Sequence, residues 1–343
     1  MSHPLEGRSR TGRRRRAGRL RPVFAVGAAV LLASCTKPAP APSAAAGPAD
    51  TGRVYVTNQL DNTLSVINAR SNKVIATVPA GTAPEGVAVA RDGKHVYIAN
   101  NGSARVSVLG TRTNKIVKAV PVGKKPTGVA LSPDGRRLYV TNGGSNSVSV
   151  IDTATNRVAA TVKVGVSPVS VAVSPDGATA YVANTGSGRL SVIDTRANRV
   201  TRELAAGRTP VSVAISPDGR SAYVANEAAA SVSVIGTRDG TVRTVRVGEG
   251  PFDVAVGPHD GTAYVAVLGP GTLSVIDSGA SRVSANLSVG STGTDPFNVE
   301  VTEHALYVTD QGVDALTVID PRTRRTVATI TVGDSPYGIA VSP

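Results

Sequence analysis

Tryptophan is absent from this 343-residue chain, cysteine occurs once, phenylalanine three times and histidine four times. Each scarcity removes a class of chemistry. A single thiol cannot form an intramolecular disulfide, so the fold must be stabilised by its core. Of the histidines, His3 lies near the N-terminus, and His95, His259 and His304 fall in hairpins of three different repeat units. They do not readily converge on one metal. No CxxCH haem-attachment motif exists, and no Ser-His-Asp set with a workable geometry emerges. Helical periodicity is also missing from the long C-terminal part, where small and β-branched residues alternate with turn formers.

What is present begins with charge. The formal net charge is +13, from 37 basic and 24 acidic residues. Residues 1–34 hold eight arginines and Glu6, leaving 37 − 8 = 29 basic and 24 − 1 = 23 acidic residues, or +6, for the rest. More than half of the charge therefore belongs to a leader. The arginines precede an apolar run, Val23 to Ala33, which has the form of a secretory signal and is far shorter than the roughly 20 residues of a membrane span. The run ends Leu32-Ala33-Ser34-Cys35, which resembles the bacterial lipobox and implies cleavage before Cys35 and lipidation of its thiol. An ordinary signal peptide with an unrelated cysteine is the alternative, and the arginines leave Sec and twin-arginine export both open. Residues 36–50, rich in proline and alanine, cannot bury a core and read as a semi-extended spacer. The expected organisation is a lipoprotein signal peptide (1–34), lipidated Cys35 with a tether (35–52), and a folded domain (53–343) held at the outer face of the cytoplasmic membrane.

From residue 53 the chain repeats. Tyr55, Tyr97, Tyr139, Tyr181, Tyr223, Tyr264 and Tyr307 recur at intervals of 41 to 43 residues, a period that signals propellers or solenoids. Each unit contains four short β-rich runs, so each is expected to be a four-stranded antiparallel blade with strands a to d from the centre outward. In the unit of Tyr139, a is Gly128 to Leu131, b is Arg137 to Thr141, c is Val148 to Ile151 and d is Val158 to Val162. The hairpin Ser132-Pro133-Asp134-Gly135 joins a to b, with proline presetting φ and glycine accepting a positive φ. The four runs are apolar on both faces, as blades covered on either side require. The first strand of the chain is a b strand (Arg53 to Thr57) and the last an a strand (Tyr337 to Val341). That complementary phase predicts an all-β, seven-bladed β-propeller whose ring is closed by pairing the two terminal strands, which removes exposed edges. An open β-solenoid would leave the phase unexplained.

The sequences Tyr55-Val56-Thr57-Asn58 and Tyr139-Val140-Thr141-Asn142, with the variants Tyr181-Val182-Ala183-Asn184 and Tyr223-Val224-Ala225-Asn226, resemble the YVTN (YncE-like) family of β-propeller repeats over about residues 53–343. The resemblance implies the propeller fold. For activity it implies little: the family includes surface-layer and periplasmic proteins of largely unassigned role, a member that binds single-stranded DNA, and distant lactonase and lyase relatives. Val267 and Asp310 depart from the motif's asparagine. The repeated tyrosines and asparagines read as structural.

Deviations from the repeat are therefore the functional signal. The d–a and b–c loops share one face, and in propellers ligands sit at that face near the channel mouth. After the proline of each d–a loop stand Glu85, Thr127, Val169, Val211, Phe252, Phe297 and Tyr337. Phe252, Phe297 and Tyr337 are the only aromatics beyond the leader outside the repeat tyrosines, and ring closure sets Glu85 beside Tyr337. Asp253, Asn298 and Asp295 extend the arc, the last from an enlarged loop, Gly290 to Pro296. Such an arc could stack a sugar, a peptide side chain or another flat ligand; alternatively its rings simply plug the channel. On the same face, Arg105, Lys124, Lys125, Arg189 and Arg208 oppose Glu227, Glu249, Asp253, Asp295, Asp310, Asp314 and Asp334. No aromatics interleave with the basic residues, which argues against a single-strand nucleic-acid platform.

The expectation is a monomeric, non-catalytic, lipid-anchored binding or scaffold protein taking a protein, peptide or glycan of the cell envelope. The alternatives are a metal-assisted lactonase- or lyase-like enzyme, with Ca²⁺ held by Glu85, Asp253, Asp295 and Asn298, and single-stranded nucleic-acid binding. No other cofactor is expected.

Overall fold

The computed structural model describes residues 52–277, 282–290 and 294–343. The signal segment, Cys35 and the tether lie outside the described residues, as does the middle of the Gly290–Pro296 loop. Among the described residues, 28 strands form seven four-stranded antiparallel sheets. Blade 1 combines Arg53–Asn58 (b), Thr63–Asn68 (c) and Lys73–Pro79 (d) with the last strand of the chain, Pro336–Val341 (a). The a strands of blades 2 to 7 are Pro84–Val89, Pro126–Leu131, Pro168–Val173, Pro210–Ile215, Pro251–Val256 and Pro296–Val301. Each contacts the a strand on either side of it, so they form a closed inner ring. The predicted strands are present, each extended by one or two residues: b of blade 3 runs Arg137–Asn142 and d runs Arg157–Lys163.

Closure follows the predicted phase. The terminal strands pair antiparallel, Val54 opposite Val341, Tyr55 opposite Ala340 and Val56 opposite Ile339. Alternation then decides the packing, because successive side chains of a strand point to opposite faces. In the first b strand Val54 and Val56 join the apolar cluster shared with blade 7, whereas Tyr55 joins the one shared with blade 2. Seven such clusters occupy the seven blade junctions, each containing one repeat tyrosine reaching toward the following blade.

The repeat asparagine has an equally local role. Asn58, Asn100, Asn142, Asn184 and Asn226 are buried, and each donates Nδ2 to the hydroxyl of Ser65, Ser107, Ser149, Ser191 or Ser233 at 2.9–3.0 Å. The glycine of the preceding d–a loop packs on that amide: a Cβ on Gly81 would stand 2.5 Å from Asn100. The repeat threonine, where present, ties blades together. Thr57 Oγ1 accepts from Gly338 N at 2.8 Å and donates to Glu85 O in blade 2 at 2.6 Å. Thr141 and Thr309 make the same bridges to Gly128 N and Val169 O, and to Asn298 N and Tyr337 O. The hairpins carry the expected turn chemistry: Ser132 Oγ donates to Asp134 Oδ1, Arg136 N donates to the same oxygen, and Gly135 has φ of 71°.

Two features differ from expectation. The d strands are not covered on both faces; Ile75, Val117 and Val327 are 50, 57 and 52% exposed. Blades diverge from the axis, so their outer strands keep far fewer contacts with their neighbours than the inner ones. Two b–c loops also contain a 3-10 turn, Gly143–Ser145 and Glu227–Ala229, each ended by a residue in the left-handed region (Asn146, Ala230).

Thr57 joins the closing strand, blade 1 and blade 2 through one hydroxyl. Thr57→Val strands a buried N–H and C=O and should cost about 1–3 kcal/mol in denaturant unfolding, whereas Thr57→Ser should recover most of the loss.

Candidate functional site

The first residues of the a strands meet at one end of the central channel. Their second positions carry Phe252, Phe297 and Tyr337 on consecutive blades, and the rings pack on each other. Phe252 and Phe297 stack with centroids 3.7 Å apart and planes at 30°; Tyr337 meets Phe297 edge-on at 4.8 Å and Phe252 at 6.4 Å. The predicted arc is therefore a contiguous aromatic cluster. None of the three is fully buried, so the cluster keeps an accessible face at the mouth. Contact among the rings gives the plug reading its support; the accessible face gives the ligand reading its support.

Glu85 lies beside Tyr337 across the closing seam, near enough to raise the phenol's pKa electrostatically, although burial is the larger cause. Its carboxylate accepts from Gln59 Nε2 at 2.9 Å, while Oε2 is buried with no hydrogen-bond partner. Burial pushes the Glu85 pKa up to about 7 against the opposing pull of Thr127, Gln59 and Asn101.

One residue further into the channel, Asp253 is a junction between blades. Oδ1 accepts from Ser212 Oγ at 2.5 Å, and Oδ2 accepts from Val299 N at 2.9 Å and Asn298 Nδ2 at 3.1 Å. Burial still raises its pKa. Ser170 and Ser212, at the same position, accept from Val213 N and Val254 N. Third-position polar side chains thus bond the backbone of the following blade. The acid is part of this stitching, and its oxygens are committed.

Asp295 is exposed, with its backbone N–H donating to Asp310 Oδ1 at 2.8 Å. It does not join Asp253 and Glu85, and no group of three or more His, Cys, Asp or Glu residues is placed to hold a metal among the described residues. Asp310 is not a surface charge of the mouth, as its place in the charge pattern implied; it is fully buried, and burial raises its pKa. His95 opens a b strand rather than lying in a hairpin.

The residue that sequence reasoning missed is Glu300. The fifth position of the a strand is alanine in six blades (Ala88, Ala130, Ala172, Ala214, Ala255 and Ala340) and glutamate in blade 7. Comparing the repeats column by column would have found it, but attention to the loop ends passed over mid-strand positions. The channel has a volume of about 580 Å³, and Asp253, Asn298, Glu300, Phe252 and Tyr337 line it. Glu300 keeps accessible surface, but that surface faces the channel, so its carboxyl is desolvated. Burial first, and the neighbouring Asp253 charge second, push its pKa up to about 7.

With this geometry in place, comparison with known proteins is informative. The model of the YNCE-like beta-propeller family matches residues 35–132, and that of the seven-bladed beta-propeller lactonases matches residues 111–213. The chain is a seven-bladed β-propeller that resembles the YNCE-like propellers over residues 35–132. Similar solved structures include hydrazine synthase of Kuenenia stuttgartiensis, at 25% identity over 75% of this chain and 89% of that one, with a TM-score of 0.68. A functionally unknown protein of Desulfotomaculum acetoxidans aligns at 16% identity over 84 and 98%, with a TM-score of 0.72. The dihydro-heme d1 dehydrogenase NirN aligns at 17% over 84 and 75%, with a TM-score of 0.64. The latter two share the fold alone. No curated protein sequence matches the chain. The YncE-like repeat and the lactonase match carry no common chemistry here, because residues 111–213 include none of Glu85, Asp253, Asn298 and Glu300.

An acid whose pKa is raised on folding binds more protons in the native state than in the unfolded one. Glu300 therefore makes the fold less stable as pH rises from about 4.5 to about 7. Glu300→Ala, which restores the residue of the other blades, should stabilise the protein by about 1–3 kcal/mol at pH 8 and by less at pH 5, read from denaturant unfolding at both values.

Proposed function

We propose that this YncE-like propeller is a non-catalytic binding protein of the cell envelope, anchored through Cys35, whose ligand occupies the channel mouth under Phe252, Phe297 and Tyr337. The observation that carries this reading is the aromatic cluster, none of whose rings is fully buried, at a channel whose charged side chains are acidic. Three rings on consecutive blades supply a rigid apolar platform at low cost in side-chain entropy. Tyr337 and Glu300, which line the same channel, supply polar groups that fix orientation, the combination typical of concave ligand sites. Turnover has less support, since Asp253 has its oxygens engaged in blade-to-blade bonds and Asp295 points elsewhere.

The match to lactonase propellers favours a second reading, metal-assisted hydrolysis with Ca²⁺ at the mouth. Metal content separates the two: a stoichiometric divalent ion that is lost in Glu85→Ala, together with lactone hydrolysis, would replace the binding reading. Single-stranded DNA binding would instead demand a steep salt dependence weakened by Lys124→Ala and Lys125→Ala.

Binding is tested with Phe297→Ala/Tyr337→Ala on arrays of envelope glycans and peptides. The double variant should lose capture while its Tm falls by only a few degrees, each 1 kcal/mol being worth about 2–4 °C in a domain of this size. Loss of Tm without any wild-type capture would mark the rings as a plug. Anchoring has its own readout: Cys35→Ser should move the protein from the membrane fraction to the soluble one.

A further inference from the structure

Glu300 asks for an explanation that the mouth alone does not supply. It stands inside the channel at a position where six blades have alanine, and its carboxyl has no hydrogen bond or ion pair with any described residue. Asn298 presents a second unmet acceptor. Its Nδ2 is committed to Asp253 Oδ2, which fixes the amide's orientation and leaves Oδ1 buried without a partner. Nearer the mouth, Glu85 Oε2 is a third. The Oδ1 atoms of the repeat asparagines Asn58, Asn100, Asn142, Asn184 and Asn226 are likewise buried without a partner, so the distinguishing group is Glu300, which keeps accessible surface. No lysine, arginine or histidine lines the channel. The charged side chains of its wall, Asp253 and Glu300, are therefore both acidic, beside the neutral hydroxyls of Thr127, Ser170, Thr185, Ser212 and Tyr337.

The walls between these groups are apolar. Alanines and valines of the a strands line the channel together with Glu300, Phe252 and Tyr337. A metal ion is poorly served by this set: one free carboxylate and one amide oxygen fall short of the six to eight oxygens that calcium takes, and Asp253 already accepts three hydrogen bonds. An alkylammonium ion is well served. Its N–H donors and charge match the Glu300 carboxylate, its carbon chain matches the alanine and valine lining, and its charge is favoured near aromatic faces.

Resting on the reading of the channel mouth as a ligand site, we infer that the channel binds the ammonium group of a primary amine, with Glu300 as counter-ion. The titratable groups along the channel and its mouth are Asp253, Glu300, Tyr337 and Glu85. Of these, Glu300 is the one whose carboxyl accepts no hydrogen bond from a described residue. Binding requires its ionised form, so affinity rises with pH through about 7, while an alkylamine stays protonated up to about pH 10.

The test is calorimetric titration of the intact protein with n-butylammonium chloride at pH 6 and pH 8. Sodium butyrate serves as the anionic control, and tetramethylammonium as the cation without N–H donors. Wild type should bind n-butylammonium saturably, more tightly at pH 8, with no binding of butyrate and weaker binding of tetramethylammonium. Glu300→Gln keeps the shape and removes the charge, and should weaken binding roughly 10- to 100-fold, the worth of one charge-assisted hydrogen bond. Glu300→Ala should do the same while unfolding at higher denaturant than wild type, which excludes misfolding as the cause. Equal affinity in Glu300→Gln, or no saturable binding to wild type, overturns the inference. If glycan or peptide capture at the mouth persists in that case, the binding reading survives without it; if capture is also absent, both fall.

Discussion

A blade of this protein is apolar on both faces, and that is the constraint from which the rest follows. Tyr55 faces one neighbour while Val54 and Val56 face the other, so no blade buries its surface alone and a linear stack would leave two apolar faces in water. The ring must close, and closure falls to the strand Pro336–Val341 paired with Arg53–Asn58. Closure also makes the channel. Seven a strands brought side by side line one channel, so a substitution in one repeat changes one part of its wall. The fold thereby separates the residues that must repeat from those free to differ.

The separation can be followed along one a strand. In Pro296–Val301, Val299 belongs to the core between blades 6 and 7, as the corresponding valines do at other junctions. Phe297, Asn298 and Glu300 depart from the repeat and line the channel or its mouth. Asn298 retains a structural duty, since its backbone N–H is bonded by Thr309, yet its side chain serves Asp253. Blades 6, 7 and 1 concentrate such departures, whereas blades 2 to 5 present Gly86, Gly128, Ser170 and Ser212 at the third position. The channel is consequently asymmetric: one wall is small and nearly featureless, and the other is aromatic and rich in acceptors.

Much of this was legible in the sequence, for physical reasons. Tyrosines at intervals of 41 to 43 residues fixed the blade count, and the complementary phase of the first and last strands fixed the closing pair. The residue after each loop proline located Phe252, Phe297, Tyr337 and Glu85 on the same rim. Burial was harder to read. Residues such as Val117 look like core in sequence but stand at the divergent perimeter, where apolar character reflects strand propensity more than packing. Asp310 reads as a surface acid but replaces the buried asparagine of its repeat. Glu300 sits inside an ordinary Val-x-Val strand pattern, and only its alignment with six alanines distinguishes it.

That alignment also bears on why the glutamate is there. Alanine at this position is compatible with the fold six times over, so a seventh alanine would close the channel wall at no cost in desolvation. A carboxyl held beside Asp253 is destabilising whenever it is ionised, and near neutral pH it is ionised for much of the time. Neither the blade core nor the seam between blades uses it: the stitching of blades 6 and 7 runs through Asp253, Asn298 and Val299 N. A residue that weakens the fold, contributes no bond to it and faces a cavity is best explained by what the cavity holds. Its companions narrow the chemistry further, because the channel wall holds two carboxyls and no cationic side chain, and an entering cation supplies the missing charge.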